Sequence, residues 1–191
     1  MNNLYPIFIK PENIRILIVG GGFVALEKLT FLFKSSPQAI VTLVSPMVRD
    51  ETMAFIADKE VTIINEKYTA VFLKGHQLVI ATTDDKEVNV KVSKDAQKEG
   101  ILVNIADTPH LCDFYMGSIV TKGHLKIAIS TKGKSPTLAK RMREWLEFII
   151  PDEIDDSLHK LNEFRSRIKG DFVLKLKRMD EITDAFIHKN G

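Results

Sequence analysis

The sequence predicts an α/β protein whose leading domain is a doubly wound parallel sheet, followed by a hairpin-plus-helix segment and a helical C-terminal region. Three observations predict it. Short β-branched apolar runs recur at residues 14–19, 40–44, 61–64, 78–81 and 101–105, and segments of helical spacing lie between them. After residue 113 this alternation gives way to a hairpin pattern and then to amphipathic helices. Strands that alternate with helices require crossover connections, and those connections build parallel sheets.

The first run, Ile14-Arg15-Ile16-Leu17-Ile18-Val19, ends directly in Gly20-Gly21-Gly22, as a buried parallel strand does when it enters a tight turn. Helical spacing follows through Val24, Leu29, Leu32 and Phe33, and again through Val88, Val92 and Ala96. These elements assign residues 1–113 to one domain. Residues 114–121 and 125–130 then read as two strands separated by Lys122-Gly123-His124, short enough for a hairpin. Ser135-Pro136 reads as an N-cap with proline in the first turn, and Leu138, Met142, Trp145, Leu146 and Ile149 recur on one face up to Pro151. Residues 114–150 form this second segment. Residues 151–191 carry two amphipathic helices, through Leu158, Leu161 and Ile168 and through Phe172, Leu176, Met179 and Phe186, with Gly170 between them. So few elements enclose little core alone, so they are expected to pack on the first domain, on a second copy of the chain, or on both.

Composition bounds the function. The 191 residues are 45% hydrophobic and 27% charged, with no apolar run near the roughly 20 residues of a membrane span. The N-terminus lacks a basic segment followed by an apolar core, so a soluble protein at a cytoplasmic address is expected, without membrane partners. The single cysteine, Cys112, forms no internal disulfide and reads as a small packing residue. The five histidines, at 76, 110, 124, 159 and 188, show no paired metal-ligand spacing, so no resident metal is expected. The net charge is only +2, yet residues 114–143 contain no Asp or Glu while Lys122, Lys126, Lys132, Lys134, Lys140, Arg141 and Arg143 are all basic. That stretch is either a solvated face or a surface for an anion. No recognition motif or aromatic-rich basic surface accompanies it, which argues against nucleic acid.

The strongest motif is Val19-Gly20-Gly21-Gly22-Phe23-Val24-Ala25, which fits G-x-G-x-x-A between a strand and a helix. Gly20 permits the turn, Gly22 lets backbone approach a pyrophosphate, and Ala25 keeps the helix close to the sheet, so a Rossmann-like dinucleotide site is expected. The acid that usually holds the adenosine ribose at the end of the second strand is missing. Val44-Ser45-Pro46-Met47-Val48-Arg49 stands there, where the Ser45 hydroxyl and backbone groups can serve a ribose and Arg49 can equally meet a 2′-phosphate. Thr82 and Thr83 lie at the carboxyl edge of the fourth strand, where such folds bind ligands, and Thr83, Asp84 or Asp85 can cap the next helix. Asp107, leaving the fifth strand ahead of Pro109, reads either as a base facing the crevice or as a turn former.

Taken together, several motifs resemble the precorrin-2 dehydrogenase/sirohydrochlorin ferrochelatase family over about residues 4–150. They are Leu4-Tyr5-Pro6-Ile7-Phe8, the glycine motif with Lys28, Ala81-Thr82-Thr83-Asp84-Asp85 with Asn89, Val103-Asn104-Ile105-Ala106-Asp107, Cys112-Asp113-Phe114, and residues 129–136. The resemblance implies NAD-dependent oxidation of precorrin-2 to sirohydrochlorin, with ferrous iron as a further substrate where chelation to sirohaem accompanies it. It also implies a homodimer built by the middle segment, and the stand-alone enzyme rather than a fusion with a methyltransferase.

By the same resemblance Asp107 matches the family's essential aspartate, and Phe23-Val24 and Pro46-Met47 match its NAD-contacting pairs. Asn104, Thr131, Lys134 and Ser135 fall to the anionic tetrapyrrole. Lys132 replaces a small residue of the family loop, and Gly117 stands where many members have proline. The basic stretch gains a purpose against a polycarboxylate macrocycle. A non-catalytic NAD-sensing module remains the alternative, since it would use the same fingerprint.

Overall fold

The computed structural model describes residues 2–184. Phe186 and His188 of the reading above lie outside the described residues. Five parallel strands, β1 (Arg15–Val19), β2 (Ile40–Val44), β3 (Val61–Ile64), β4 (Leu78–Ala81) and β5 (Leu102–Ile105), stand in the order β3-β2-β1-β4-β5. The order reverses beside β1, which is where a doubly wound sheet opens a crevice for ligands. Register brings the carboxyl ends level: Val19 pairs with Val44 on one side and Ala81 on the other, and Ala81 pairs with Ile105.

Alternation along the strands loads both faces of the sheet. Ile16, Ile18, Val41, Leu43 and Ile80 pack with Ala25, Leu29 and Phe33 of α1 (Phe23–Ser35). Leu17, Val19, Val79, Ala81 and Val103 pack on the opposite face with Val92 and Ala96 of α3. That helix, Lys86–Glu99, starts at an Asp85 carboxylate that accepts from the Glu87 and Val88 N–H groups, and stops at Gly100 in the left-handed region. Full burial of each such aliphatic side chain contributes about 1.5–3 kcal/mol. The short helix α2 (Asp50–Ile56) has too few residues to show a period in the sequence and was not anticipated.

The antiparallel hairpin is β6 (Ser118–Lys122) and β7 (Leu125–Ile129). Its first strand starts at Ser118 rather than at 114, because the preceding residues are held elsewhere. The Asp113 N–H donates to the Val103 carbonyl at 2.8 Å, Asn104 Nδ2 donates to the Phe114 carbonyl at 2.8 Å, and Phe114 and Met116 pack against the first core. Three helices follow, α4 (Pro136–Ile149), α5 (Ile154–Arg167) and α6 (Phe172–Thr183), with Gly170 at φ +130 between the last two. The chain forms two compact units: residues up to Gly117 with Ser130–Pro136, and Ser118–Ile129 with the helices from Thr137 onward. Among the described residues no helix is long and apolar enough to cross a membrane.

Candidate functional site

The three glycines divide the work of the turn after β1. Gly20 has φ +112, and a Cβ there would fall 2.7 Å from Thr82 Oγ1. Gly21 is equally confined, since its Cβ would meet the Met47 carbonyl oxygen at 2.6 Å and Val48 Cα at 2.8 Å. Gly22 differs from both: a Cβ there would meet nothing within 4 Å, and its φ of −86 is ordinary. It occupies the N-cap position of α1, where no side chain caps the helix. The first-turn N–H groups and the positive end of the helix dipole therefore face open space, a cradle suited to a pyrophosphate. The residues present fit a dinucleotide cofactor.

The loop after β2 closes against this turn. The Arg49 N–H and the buried Thr52 hydroxyl both donate to the Gly21 carbonyl, at 3.0 and 3.3 Å. Ser45 is buried and its hydroxyl donates to the Met47 carbonyl at 2.7 Å, so it shapes the loop and presents Pro46 and Met47 to solvent. The Arg49 guanidinium lies 3.8 Å from the centroid of the exposed Phe23 ring and pairs with Glu51 at 3.2 Å. Sequence reasoning gave Gly21 and Thr52 no part in the site. The only signal for Gly21 was a third glycine where the motif needs two.

At the end of β4, Thr82 is spent on the fold: its N–H and its hydroxyl both donate to the Val19 carbonyl, at 2.8 and 2.9 Å. Thr83 Oγ1 sits 2.7 Å from Asn89 Oδ1, and Asn89 Nδ2 donates back to the Thr83 carbonyl at 2.9 Å. These contacts, with the Asp85 cap, hold the strand end beside Gly20. What they leave for a ligand is chiefly the backbone of the loop.

Asp107 leaves the neighbouring strand. The Ala106 N–H donates to the Ala81 carbonyl at 2.9 Å, so the loop starts one residue from Thr82 in the same register. Asp107 itself has φ +56 and is exposed. A non-glycine residue in the left-handed region is uncommon, although Asp tolerates it best, and such residues cluster at functional sites. The turn-forming role is thus present, and it leaves the carboxylate in solvent at the sheet's edge. Cys112 braces this loop from beneath: Sγ receives the Ile105 N–H at 3.2 Å and faces the Ile105 and Thr108 carbonyls at 3.2 and 3.4 Å. Burial pushes the thiol up from its ordinary range, which makes it a packing residue rather than a nucleophile. Asn104 is buried with its amide committed to Phe114, so it positions the chain after Asp113.

Thr131 and Ser135 meet each other rather than the glycine turn. Thr131 Oγ1 accepts from the Ser135 N–H at 3.2 Å, Lys132 adopts φ +55, and hydrogen bonds from Asn2 to Ser130 and from Lys132 to Asn3 tie this loop to the N-terminal segment. Lys134 is exposed on it. The acid-free basic stretch is less positive in three dimensions than along the chain. Arg141 and Lys140 pair with Glu144, Arg143 with Glu147, and Lys122 with Asp152. Helical spacing supplies the acids from the next turn, just beyond the window in which the run was noticed.

The histidines also change standing. His124 and His159, without a shared spacing in the sequence, come together around Asp155. The signal available beforehand was Asp155 and His159 one helical turn apart.

Residues 7–118 match the family model described as "Putative NAD(P)-binding", and residues 122–147 match that of the "Sirohaem biosynthesis protein central" segment. Similar curated proteins include the siroheme synthase of Psychrobacter cryohalolentis, 38% identical over 168 residues, which are 88% of this chain and 32% of that protein. Another is the siroheme synthase of Methylobacillus flagellatus, 38% identical over 181 residues, 95% of this chain and 38% of that protein. The chain thus spans about a third of the length of the curated relatives it matches. Among solved structures, "SirC, precorrin-2 dehydrogenase" superposes with a TM-score of 0.72 at 26% identity, covering 94% of this chain and 89% of that one.

Proposed function

Because the chain belongs to the precorrin-2 dehydrogenase and sirohaem synthase family, joining the NAD(P)-binding segment to the sirohaem central segment, we propose that it oxidises precorrin-2 to sirohydrochlorin with NAD. The observation that carries this is the position of Asp107, an exposed carboxylate on left-handed backbone at the carboxyl edge of β5, with β4 between it and the glycine cradle. In this assignment Gly20, Gly22 and the N-terminus of α1 hold the pyrophosphate, while Phe23, Val24, Pro46 and Met47 flank the cofactor. Ser45, Thr82 and Thr83 keep the surrounding loops in shape. NAD, when bound, supplies the hydride acceptor. Asp107, directly or through a water it orients, takes the proton that the macrocycle loses. Thr131, Lys134 and Ser135 meet the carboxylates of the anionic substrate, with ferrous iron a second substrate where chelation follows.

One anaerobic experiment tests this: the purified chain with precorrin-2, then NAD, then ferrous iron, followed by absorbance. NADH formation matched to loss of precorrin-2 is expected. Bound NAD without turnover would instead establish the NAD-sensing module. A sirohaem spectrum after iron would add chelation, and its absence would leave a dehydrogenase alone.

The assembly proposed is a homodimer through residues 114–150. Its support is α4, where Met142, Trp145 and Ile149 form an exposed apolar stripe, Trp145 at 59%. A stripe with this spacing is a helix face awaiting a partner. Light scattering should return twice the chain mass, and a monomer at all micromolar concentrations would remove the proposal.

A further inference from the structure

The second unit holds a cluster that the redox reading does not use. His124, in the β6–β7 turn, and Asp155, in the first turn of α5, lie 31 residues apart in sequence, yet Nδ1 of one is 2.8 Å from Oδ1 of the other. His159, one helical turn beyond Asp155, places Nε2 3.7 Å from Asp155 Oδ2. One donor atom from each of the three lies within 4.8 Å of the other two, and the imidazoles meet edge to face with centroids 4.7 Å apart. The turn is moulded around the carboxylate. A Cβ on Gly123 would fall 2.0 Å from Asp155 Cγ, and the His124 backbone N–H donates to Asp155 Oδ1 at 2.7 Å. Lys122 pairs with Asp152 alongside and holds the hairpin turn on α5.

We propose that His124, Asp155 and His159 form a binding site for one divalent first-row transition ion of the Zn²⁺, Co²⁺ or Ni²⁺ class. Two imidazoles and one carboxylate suit such borderline ions, whereas Mg²⁺ and Ca²⁺ prefer all-oxygen sets. Bond lengths of about 2.0–2.1 Å put the donors of a tetrahedral site about 3.3 Å apart. One donor atom from each residue lies within 4.8 Å of the other two, so closing by up to about 1.5 Å, shared among the three side chains, assembles it. Both histidine side chains are largely exposed, at 71% and 60%, so they are free to make that adjustment and water can complete the coordination. The His124 N–H occupies Oδ1 and leaves Oδ2 toward His159, the kind of supporting hydrogen bond that orients a ligating carboxylate. An ion there would clip the hairpin to α5. The site is independent of NAD and of Asp107, so it stands or falls apart from the redox assignment.

The test is Zn²⁺ titration of the untagged full chain by calorimetry, with Co²⁺ absorption as a second readout. One equivalent should bind with micromolar affinity, raise the thermal midpoint and be removed by chelator. His124→Ala, His159→Ala and Asp155→Asn should each weaken binding by about tenfold or more. Asp155→Asn keeps an oxygen for the His124 N–H, so it separates loss of the ligand from loss of the turn. No saturable binding, or binding unchanged in His159→Ala, would overturn the site. So would a Co²⁺ spectrum with intense thiolate charge-transfer bands, which would place the ion at Cys112.

Discussion

Gly21 is pressed against Met47: a Cβ on the glycine would fall 2.6 Å from the methionine carbonyl oxygen, whereas a Cβ on the adjacent Gly22 would have open space around it. The two neighbours therefore separate folding from binding. Gly21→Ala forces backbone to move and should destabilise the protein by about 1–3 kcal/mol, the usual cost of overpacking. Gly22→Asp meets nothing and places a carboxylate at an N-cap, a favoured position, so the thermal midpoint should hold or rise. That carboxylate would occupy the place of the pyrophosphate, so NAD affinity should fall by at least about tenfold. Calorimetry with NAD beside thermal unfolding reads both effects, and unchanged affinity in Gly22→Asp would reject the cofactor site.

Asp107 combines strained backbone with an exposed carboxylate, and the two can be separated. Asp107→Asn keeps a residue that tolerates positive φ, and Asp107→Gly relieves the backbone altogether. Both should fold and bind NAD, and both should lose about 10²–10⁴-fold in precorrin-2 oxidation at saturating substrates. Turnover retained in either variant, with chemistry limiting, would show that the carboxylate is not the base.

Arg49 is neutralised by Glu51 at the loop where a 2′-phosphate would be read. The Arg49 guanidinium, hydrogen-bonded to the Glu51 carboxylate, holds that carboxyl below its ordinary range. Glu51→Gln should release the cation and improve NADP affinity relative to NAD by roughly two- to fivefold, in keeping with a solvent-screened pair. Parallel titrations with NADH and NADPH measure the ratio, and a fall in relative NADPH affinity would contradict the arrangement.

His76 has Nδ1 buried without a hydrogen-bond partner among the described residues, while Nε2 lies 3.0 Å from Thr42 Oγ1. Burial, with a smaller contribution from Arg15, holds its pKa below the ordinary value. The unfolded chain then takes up the proton first as pH falls. The histidine's contribution is therefore present above about pH 6.5 and is lost as pH falls from there toward its folded value. Denaturation midpoints across that range should decline, and His76→Gln should flatten the decline. An identical pH profile in the variant would assign it to other groups.

The sequence by itself determined the sheet and the cofactor turn, because these rest on local chemistry: alternating β-branched runs, helical spacing, and glycines placed where a strand must turn into a helix. Asp107 was legible as a residue leaving β5, yet whether it turns the chain or faces a crevice is not a local property, and the backbone at φ +56 does the first while exposing the second. Tertiary structure alone decided how the Thr82 hydroxyl is used, since the Val19 carbonyl reaches it only where β1 and β4 lie side by side, whereas Ser45 and Thr83 are spent locally, on Met47 and Asn89. It alone shortened β6, because residues 113–116 are claimed by β5 and its core. It alone drew His124 to Asp155 and His159. A contact across 31 residues has no period or spacing to announce it and exists only once the hairpin turn is laid on α5.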